Sequence, residues 1–462
     1  MRLRSLVLLL CLLAACTNNS KTATHPTPTS LTGSIGAAQY EIDVPAPWNG
    51  DLLLFSHGYV APGSPNGVQA APTVDARTWL TSHGYAIAGS SYSSTGWALD
   101  DALIDQMALL DFFDAHVGKP KRVIAWGVSL GGIITAGLVQ LHPERFAAAM
   151  PLCGVLSGGV ATWNSELDAA YAFKTLLAPQ STLQLVNITD PNANAQLAAH
   201  LVSSAAANPQ GVARLALVAA LTDLPGWFDP RLPEPAATDY VTQVAAQIAW
   251  ESRVDFSFAF RYRAELEHRA GGNPSWNTGV DYAAQLAASP NRREVEALYG
   301  QAGLDLQQDV RTLNAGPRIK PDPAAAAYLE RNITFDGNLA VPVLAVHTTG
   351  DGLVIPPNEN AYADVVTAAH KEFLLRQVFV HRAGHCAFTT AEIIAALHVL
   401  VRRMDTGQWD DAALQPVAMN VQARAQGATA NQILGFSFEP SFEAYAPAAY
   451  PRPFAKGSTI PA

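Results

Sequence analysis

The chain has 462 residues, of which 49% are hydrophobic and 15% are charged, and its formal net charge is −10. This composition is typical of a globular protein with a large buried core, and the length allows one large domain with an insertion or two domains. The net negative charge, without a basic patch interleaved with aromatic residues, argues against nucleic acid as a partner.

The N-terminus has the features of a lipoprotein export signal. Two arginines precede a short apolar run, and Leu-Ala-Ala-Cys at residues 13–16 matches a bacterial lipobox. This predicts a signal peptide over 1–15, lipidation of Cys16 and a flexible Thr/Asn/Ser/Pro-rich tether over 16–35. A plain secretory signal is the alternative, and the apolar run is too short to span a membrane. We expect a lipid-anchored protein of the cell envelope, facing the periplasm or the exterior. In a Gram-negative cell Thr17, which stands where many inner-membrane lipoproteins have aspartate, favours the outer membrane.

Two cysteines remain for the folded part of the chain, because Cys11 lies in the signal and Cys16 is the lipidation site. In an oxidising compartment Cys153 and Cys386 are a possible disulfide pair, and two separately buried thiols are the alternative.

Strand and helix patterns alternate after the tether. The predicted strands are residues 39–44, 51–56, 85–91, 122–126, 146–152, 341–347 and 373–380. The predicted helices between them are residues 73–83, 101–117, 130–142, 357–369 and 389–404. Buried-type strands separated by helices indicate a mostly parallel sheet covered on both faces, with core segments 36–154 and 337–405. We expect residues 155–336 to form a mainly helical insertion and residues 406–462 a tail packed on the core.

The motif Gly-Val-Ser-Leu-Gly at residues 127–131 connects a strand to a helix. A serine in this pattern lies on a tight turn that exposes its hydroxyl, and the flanking glycines avoid collisions that a Cβ would cause. The first amides of the following helix point toward any oxyanion formed beside the serine. The motif therefore predicts that Ser129 is a nucleophile.

A serine nucleophile needs a base and an acid that orients the base. Asp351 and His385 each follow a predicted strand, in the chain order expected for this kind of serine turn, and the carboxyl ends of parallel strands meet at one crevice. Taken alone, Asp351 could be a turn residue. The competing histidines are His370, His381 and His398. We interpret His370 and His398 as surface or packing residues, whereas His381 lies close to the strand end and stays an alternative base. We predict the triad Ser129, Asp351 and His385.

The oxyanion hole requires two backbone N–H groups. We expect one from Leu130, directly after the nucleophile, and one from the loop after the strand at 51–56. Tyr59 is the preferred donor in that loop and Gly58 the second choice. We expect the His57 side chain to be structural.

Together, these motifs resemble the α/β-hydrolase superfamily of serine esterases. The resemblance covers residues 39–153 and 341–404, and it implies a doubly wound, mostly parallel sheet and an acyl-enzyme intermediate. It also implies a large helical cap inserted between the sixth and seventh strands. In tannase and feruloyl esterase relatives, a cysteine after the catalytic histidine is bridged to one before the serine. Val128 stands at that second position here, so a Cys153–Cys386 bridge would be a different device.

The expected function is a serine hydrolase that cleaves a small carboxylic ester and uses no cofactor and no metal. A prolyl-type serine peptidase is one alternative and would need acidic cap residues to bind a substrate amine; the candidates are Glu166, Asp168, Glu265 and Glu267. An envelope acyltransferase and a surface binding protein without catalysis are the others. The sequence leaves the oligomeric state open.

Overall fold

The computed structural model describes residues 28–461. The predicted signal peptide 1–15 and Cys16 lie outside this range. Within it, no helix combines the length and apolar character needed to cross a bilayer.

A nine-stranded sheet forms the centre of the molecule, with strand order β1-β2-β4-β3-β5-β6-β7-β8-β11. Its strands are β1 Thr29–Ile35, β2 Ala38–Val44, β3 Asp51–Ser56, β4 Ala86–Ser90, β5 Arg122–Val128, β6 Ala148–Leu152, β7 Val343–Gly350, β8 Leu375–Ala383 and β11 Phe442–Glu443. From β4 through β8 every neighbouring pair is parallel, whereas β1, β2 and β11 join antiparallel at the two edges. The predicted mostly parallel sheet is confirmed.

Helices cover both faces of the sheet, because strand residues alternate between them. On β3, Leu52 and Leu54 pack with α2 Leu99–His116, α3 Leu130–Leu141 and α13 Pro357–Ala368. Leu53 and Phe55 pack on the opposite face. The helices of that face are α1 Val74–Ser82, α14 Thr390–Thr406 and α15 Pro416–Arg424. This two-sided burial explains the continuous apolar runs of the central strands.

The chain between β6 and β7 is mainly helical and has its own hydrophobic core. Its helices are α4 Gly159–Leu177, α5 Pro191–Ala206, α6 Pro209–Leu221, α7 Tyr240–Trp250, α8 Arg263–Ala270, α9 Tyr282–Ala288, α10 Arg292–Ala302, α11 Leu306–Ala315 and α12 Pro323–Arg331. Two π-helical segments, Glu251–Asp255 and Phe258–Tyr262, lie between α7 and α8. Such segments widen a helix locally and are frequent at functional sites.

The predicted tether over 16–35 is wrong for its last seven residues. Thr29–Ile35 is strand β1, which pairs with β2 through a two-residue turn that starts at Gly36, where φ is +60°. The strand is polar because it is an exposed edge, and only Leu31 and Ile35 pack on the core. The tail after α14 contains two further short strands besides β11, namely β9 Gln432–Ile433 and β10 Phe436–Ser437, which the sequence did not predict.

Candidate active site

Ser129 lies on the turn between β5 and α3 with φ +58° and ψ −121°, a conformation that side-chain-bearing residues rarely adopt. The flanking glycines are required by close packing. A Cβ at Gly131 would lie 1.9 Å from the carbonyl oxygen of Ser56, and one at Gly127 would lie 2.5 Å from the same atom. The sequence therefore folds here as the motif predicts, with the serine at the end of the central strand.

The structure brings Ser129, His385 and Asp351 together at the carboxyl ends of β5, β8 and β7. His385 Nε2 lies 2.7 Å from Ser129 Oγ, and His385 Nδ1 lies 2.8 Å from Asp351 Oδ2. Asp351 is fully buried, and its other oxygen accepts hydrogen bonds from the backbone N–H groups of Leu353 and Val354. These contacts fix the carboxylate, so it can orient the imidazole with one nitrogen toward the serine.

A buried histidine behind Asp351 was not predicted. His347 Nδ1 lies 3.0 Å from Glu359 Oε1, and its Nε2 lies 2.7 Å from the carbonyl oxygen of Val354 and 3.8 Å from Asp351 Oδ2. Burial opposes its protonation, but the hydrogen bond to Glu359 and the charges of both carboxylates outweigh burial and raise the pKa of His347. Both ring nitrogens face acceptors, which favours the doubly protonated ring. The only sequence signal was a polar residue inside an apolar strand.

Cys153 and Cys386 form a disulfide, with 5.3 Å between their Cα atoms. The bridge joins the end of β6 to the residue directly after His385. It therefore ties the loop that carries the base to the central sheet.

The loop after β3 crosses next to the nucleophile, because a Cβ at Gly58 would lie 3.4 Å from Ser129 Cβ. Tyr59 and Leu130, the predicted oxyanion donors, line the same pocket as Ser129. Leu130 is the first residue of α3, so its N–H has no acceptor within the helix. His57 contacts the carbonyl oxygens of Gly58 and Ser91 and stacks on a neighbouring tyrosine, and burial lowers its pKa, in keeping with a structural role.

The three histidines that competed with His385 as candidate bases make their contacts outside the Ser129–His385–Asp351 chain. His381 contacts Glu443 of the tail at 3.0 Å and Glu234 of the insertion at 3.5 Å. His398 lies in α14, 2.6 Å from the side chain of Gln422, and His370 follows α13.

An aromatic pocket opens beside the nucleophile. We use this name for the space bordered by Ser129 and lined by Tyr59, Trp97, Leu130, Val155, Thr162, Trp163, Glu166, Phe258, Leu353 and Val354. Three of its side chains carry buried donor groups without a hydrogen-bond partner among the described residues: Tyr59 Oη, Trp97 Nε1 and Trp163 Nε1. The pocket therefore combines aromatic walls with polar groups that a bound molecule could satisfy.

Of the four insertion carboxylates considered from the sequence, Glu166 alone lines this pocket. Asp168 binds Arg452 of the tail and Tyr282, and Glu265 binds Arg269 and the Trp97 amide. Glu267 accepts hydrogen bonds from the backbone amides of residues 187 and 188. Sequence reasoning missed Glu251 and Asp255, which lie in the first π-helical segment, next to the site.

Comparison with known proteins gives matches in sequence and among solved structures. The prolyl oligopeptidase family matches residues 75–184. The o-phthalyl amidase of Xanthobacter agilis is 30% identical over 421 residues, which cover 84% of this chain and 89% of that protein. Feruloyl esterase B from Aspergillus oryzae is 14% identical, with a TM-score of 0.41, over 82% of its chain and 83% of this one. An acylaminoacyl peptidase from Pyrococcus horikoshii is 10% identical, with a TM-score of 0.35, over 78% of this chain, which spans only 37% of that peptidase.

Proposed function

This chain belongs to the family of α/β-hydrolase serine hydrolases that includes the o-phthalyl amidase of Xanthobacter agilis, and we propose that it cleaves amides and esters of aromatic carboxylic acids. The observation that carries the proposal is the hydrogen-bonded Ser129–His385–Asp351 chain at the edge of the aromatic pocket. The proposal keeps ester hydrolysis, expected from the sequence, and adds amides because of this relative.

The proposed mechanism follows from the contacts. His385 Nε2 accepts the proton of Ser129 Oγ as the oxygen attacks the acyl carbon, and Asp351 stabilises the imidazolium that results. The N–H groups of Leu130 and Tyr59 stabilise the oxyanion. His385 then donates the proton to the leaving amine or alcohol as its bond to the acyl carbon breaks. Water, deprotonated by His385, then attacks the acyl carbon, and His385 returns this proton to Ser129 Oγ as the acid is released.

The aromatic pocket supports an aromatic acyl group that carries a further oxygen substituent. An o-phthalyl group is an aromatic ring that carries a second carboxyl on the ring carbon next to the one that bears the acyl group. The unpaired donors of Tyr59, Trp97 and Trp163 suit an oxygen of that second carboxyl. The free space is about 40 Å³, whereas an apolar cavity that holds benzene has roughly 150 Å³. Binding therefore requires the side chains of the insertion, Phe258 among them, to move apart.

Localisation is a separate proposal. We propose that Cys16 is lipidated and that the protein is anchored in the cell envelope, at the outer membrane in a Gram-negative cell. The Cys153–Cys386 disulfide supports folding in an oxidising compartment. Cells fed labelled palmitate should yield a labelled protein, and Cys16→Ala should abolish the label; persistent label in that variant would contradict the proposal.

The activity is tested with full-length protein on matched chromogenic substrates: p-nitrophenyl benzoate, the p-nitroanilides of benzoic and 2-carboxybenzoic acid, and aminoacyl p-nitroanilides. We expect turnover of the aryl substrates that Ser129→Ala abolishes and that Ser34→Ala, a control at an exposed serine of β1, retains. Faster cleavage of the aminoacyl anilides would favour a prolyl-type peptidase. Transfer of the acyl group to an added alcohol in preference to water would favour an acyltransferase.

A further inference from the structure

An acidic recess adjoins the aromatic pocket and shares part of its lining. We define it by the carboxyl groups of Glu166, Glu251 and Asp255. Glu166 lines both spaces, and so do Leu353 and Val354 of the loop that carries Asp351. The recess and the space beside Ser129 are therefore neighbours separated by shared side chains.

Two of these carboxyl groups are buried without partners. Glu251 is 1% exposed and Asp255 is 6% exposed, and none of their four carboxyl oxygens has a hydrogen-bond partner among the described residues. Each such group costs about 1–3 kcal/mol when left unpaired. Other buried carboxylates of the insertion are paired: Asp168 with Arg452, Asp309 with Arg214 and Glu267 with two backbone amides. The recess therefore lacks a partner that the rest of the fold supplies.

The titratable groups around the recess are mostly acidic. Burial raises the pKa of Glu166 to about 7 and that of Glu251 well above its ordinary value. Burial, followed by the charges of Glu166, Glu251 and Asp351, raises the pKa of Asp255. The tail contributes Tyr450 to the lining of the recess. Burial raises the pKa of Tyr450 to about 12, so its phenol group stays neutral.

Arg263 of α8, the basic side chain whose charge acts on Glu166, is engaged elsewhere. It donates to Ser275 Oγ and to the carbonyl oxygen of Trp163, and its charge lowers only the pKa of Glu166 within the recess. Burial therefore shifts the carboxyl groups of the recess toward their neutral form.

The carboxyl groups of the recess do not converge as a three-ligand metal site does. Oxygens that bind one Ca²⁺ at 2.3–2.6 Å lie within about 5 Å of one another. In residues 28–461, the group of acidic, histidine or cysteine ligands that converges within 4.8 Å is Cys153, His385 and Cys386, and the recess does not form such a group. The two cysteines of that group are disulfide-bonded. An organic cation, with several N–H donors spread over its surface, suits separated carboxylates better.

We propose that the acidic recess binds a protonated amine of the substrate, so that the preferred substrates are aromatic amides or esters that carry an ammonium group. The inference rests on the proposed function for the position of the acyl carbon at Ser129. The recess has about 40 Å³ of free space, enough for an ammonium group and one or two waters. When the ammonium binds, a neutral carboxyl of the recess loses its proton to the solvent and becomes the carboxylate that pairs with it.

The test measures binding of benzylammonium, benzyl alcohol and benzoate to the full-length protein by calorimetry at pH 6 and pH 8. We expect benzylammonium to bind at least tenfold more tightly than benzyl alcohol. Its affinity should rise with pH, and the dependence of the heat on the buffer should report release of about one proton. Equal affinities for the three compounds would overturn the proposal. Tightest binding of benzoate, weakening as the pH rises, would also overturn it and would assign the recess to carboxylate ligands.

Variants connect this preference to the recess. Glu251→Gln and Asp255→Asn keep the side-chain shape, and we expect each to reduce the benzylammonium preference at least tenfold. Glu294→Gln is the matched control, because Glu294 is also a buried carboxyl of the insertion, bonded to Gln247 outside the recess, with a pKa raised by burial to about 7. An unchanged preference in both recess variants would overturn the proposal. Proton release by the wild-type protein remains decisive if a variant does not fold. Turnover of p-nitrophenyl benzoate by wild-type protein reports separately on the proposed function.

Discussion

Removal of the Cys153–Cys386 disulfide should destabilise the protein and slow catalysis at once. The bridge closes a loop of 233 residues, and the chain-entropy relation for a loop of that length gives about 5 kcal/mol of stabilisation. Removal of a native disulfide typically lowers the free energy of unfolding by about 2–5 kcal/mol. Unfolding a chain of 462 residues has an entropy of about 1 kcal/mol/K, at about 2.1 cal/mol/K per residue. The expected fall in Tm is therefore about 2–5 °C.

The matched change is the double variant Cys153→Ser/Cys386→Ser, which replaces each sulfur by oxygen and leaves both Cβ atoms in place. Because Cys386 directly follows His385, freeing this loop should also misplace the base and lower kcat about ten- to a hundredfold. Calorimetric scanning gives Tm, and hydrolysis of p-nitrophenyl benzoate gives kcat. Wild-type protein with the bridge reduced should match the variant, and the variant should not respond to reductant. A variant with unchanged Tm and unchanged kcat would refute the reasoning.

Three further changes test the site and its surroundings. Asp351→Asn should lower kcat/KM about 10⁴-fold, which corresponds to a loss of about 5 kcal/mol in transition-state stabilisation. The reason is that an amide at this position turns the His385 proton toward the serine. A loss below tenfold would contradict this prediction. His347→Gln should reduce the free energy of unfolding in urea by about 3–5 kcal/mol, because Glu359 loses its buried partner. The pKa of His347 is raised above 6.5. The difference in unfolding free energy between the wild-type protein and the variant should therefore be full below pH 6.5 and shrink as the pH rises through the folded-state pKa. A difference that does not change with pH would argue against an imidazolium. Burial raises the pKa of Asp223 from 3.8 to about 7, so the wild-type protein loses stability as the pH rises over that range. Asp223→Asn should therefore be more stable than the wild-type protein at pH 8, by about 2 kcal/mol once partial exposure is allowed for. A stability difference between the two proteins that is the same at pH 4 and pH 8 would contradict this reasoning.

The parts of the fold that were predictable are those in which local pattern and long-range packing agree. Buried parallel strands are apolar throughout, so their positions could be read from the sequence. The turn around Ser129 needs glycine for steric reasons, so the motif predicted its geometry. The position of Asp351 and His385 beside Ser129 could be predicted because the carboxyl ends of parallel strands meet at one crevice, a rule that needs only strand order and chain position.

The parts that were missed depend on contacts between distant segments. Strand β1 is a polar edge strand and has the same composition as a flexible tether. The strand Phe442–Glu443 exists because it pairs with β8, and two residues give no local signal. Glu251 and Asp255 lie in a π-helical segment, which no apolar periodicity predicts. His347 could be assigned a role only after Glu359 and Asp351 were seen beside it.

The most direct test of the account is to trap the acyl-enzyme. Full-length protein mixed with p-nitrophenyl benzoate and quenched within the first turnover should carry one benzoyl group per chain. Peptide mass spectrometry should locate this group on Ser129, and Ser129→Ala should show neither the adduct nor the burst of p-nitrophenol. Hydrolysis that persists in Ser129→Ala, or an adduct on another residue, would contradict the assignment of Ser129 as the nucleophile.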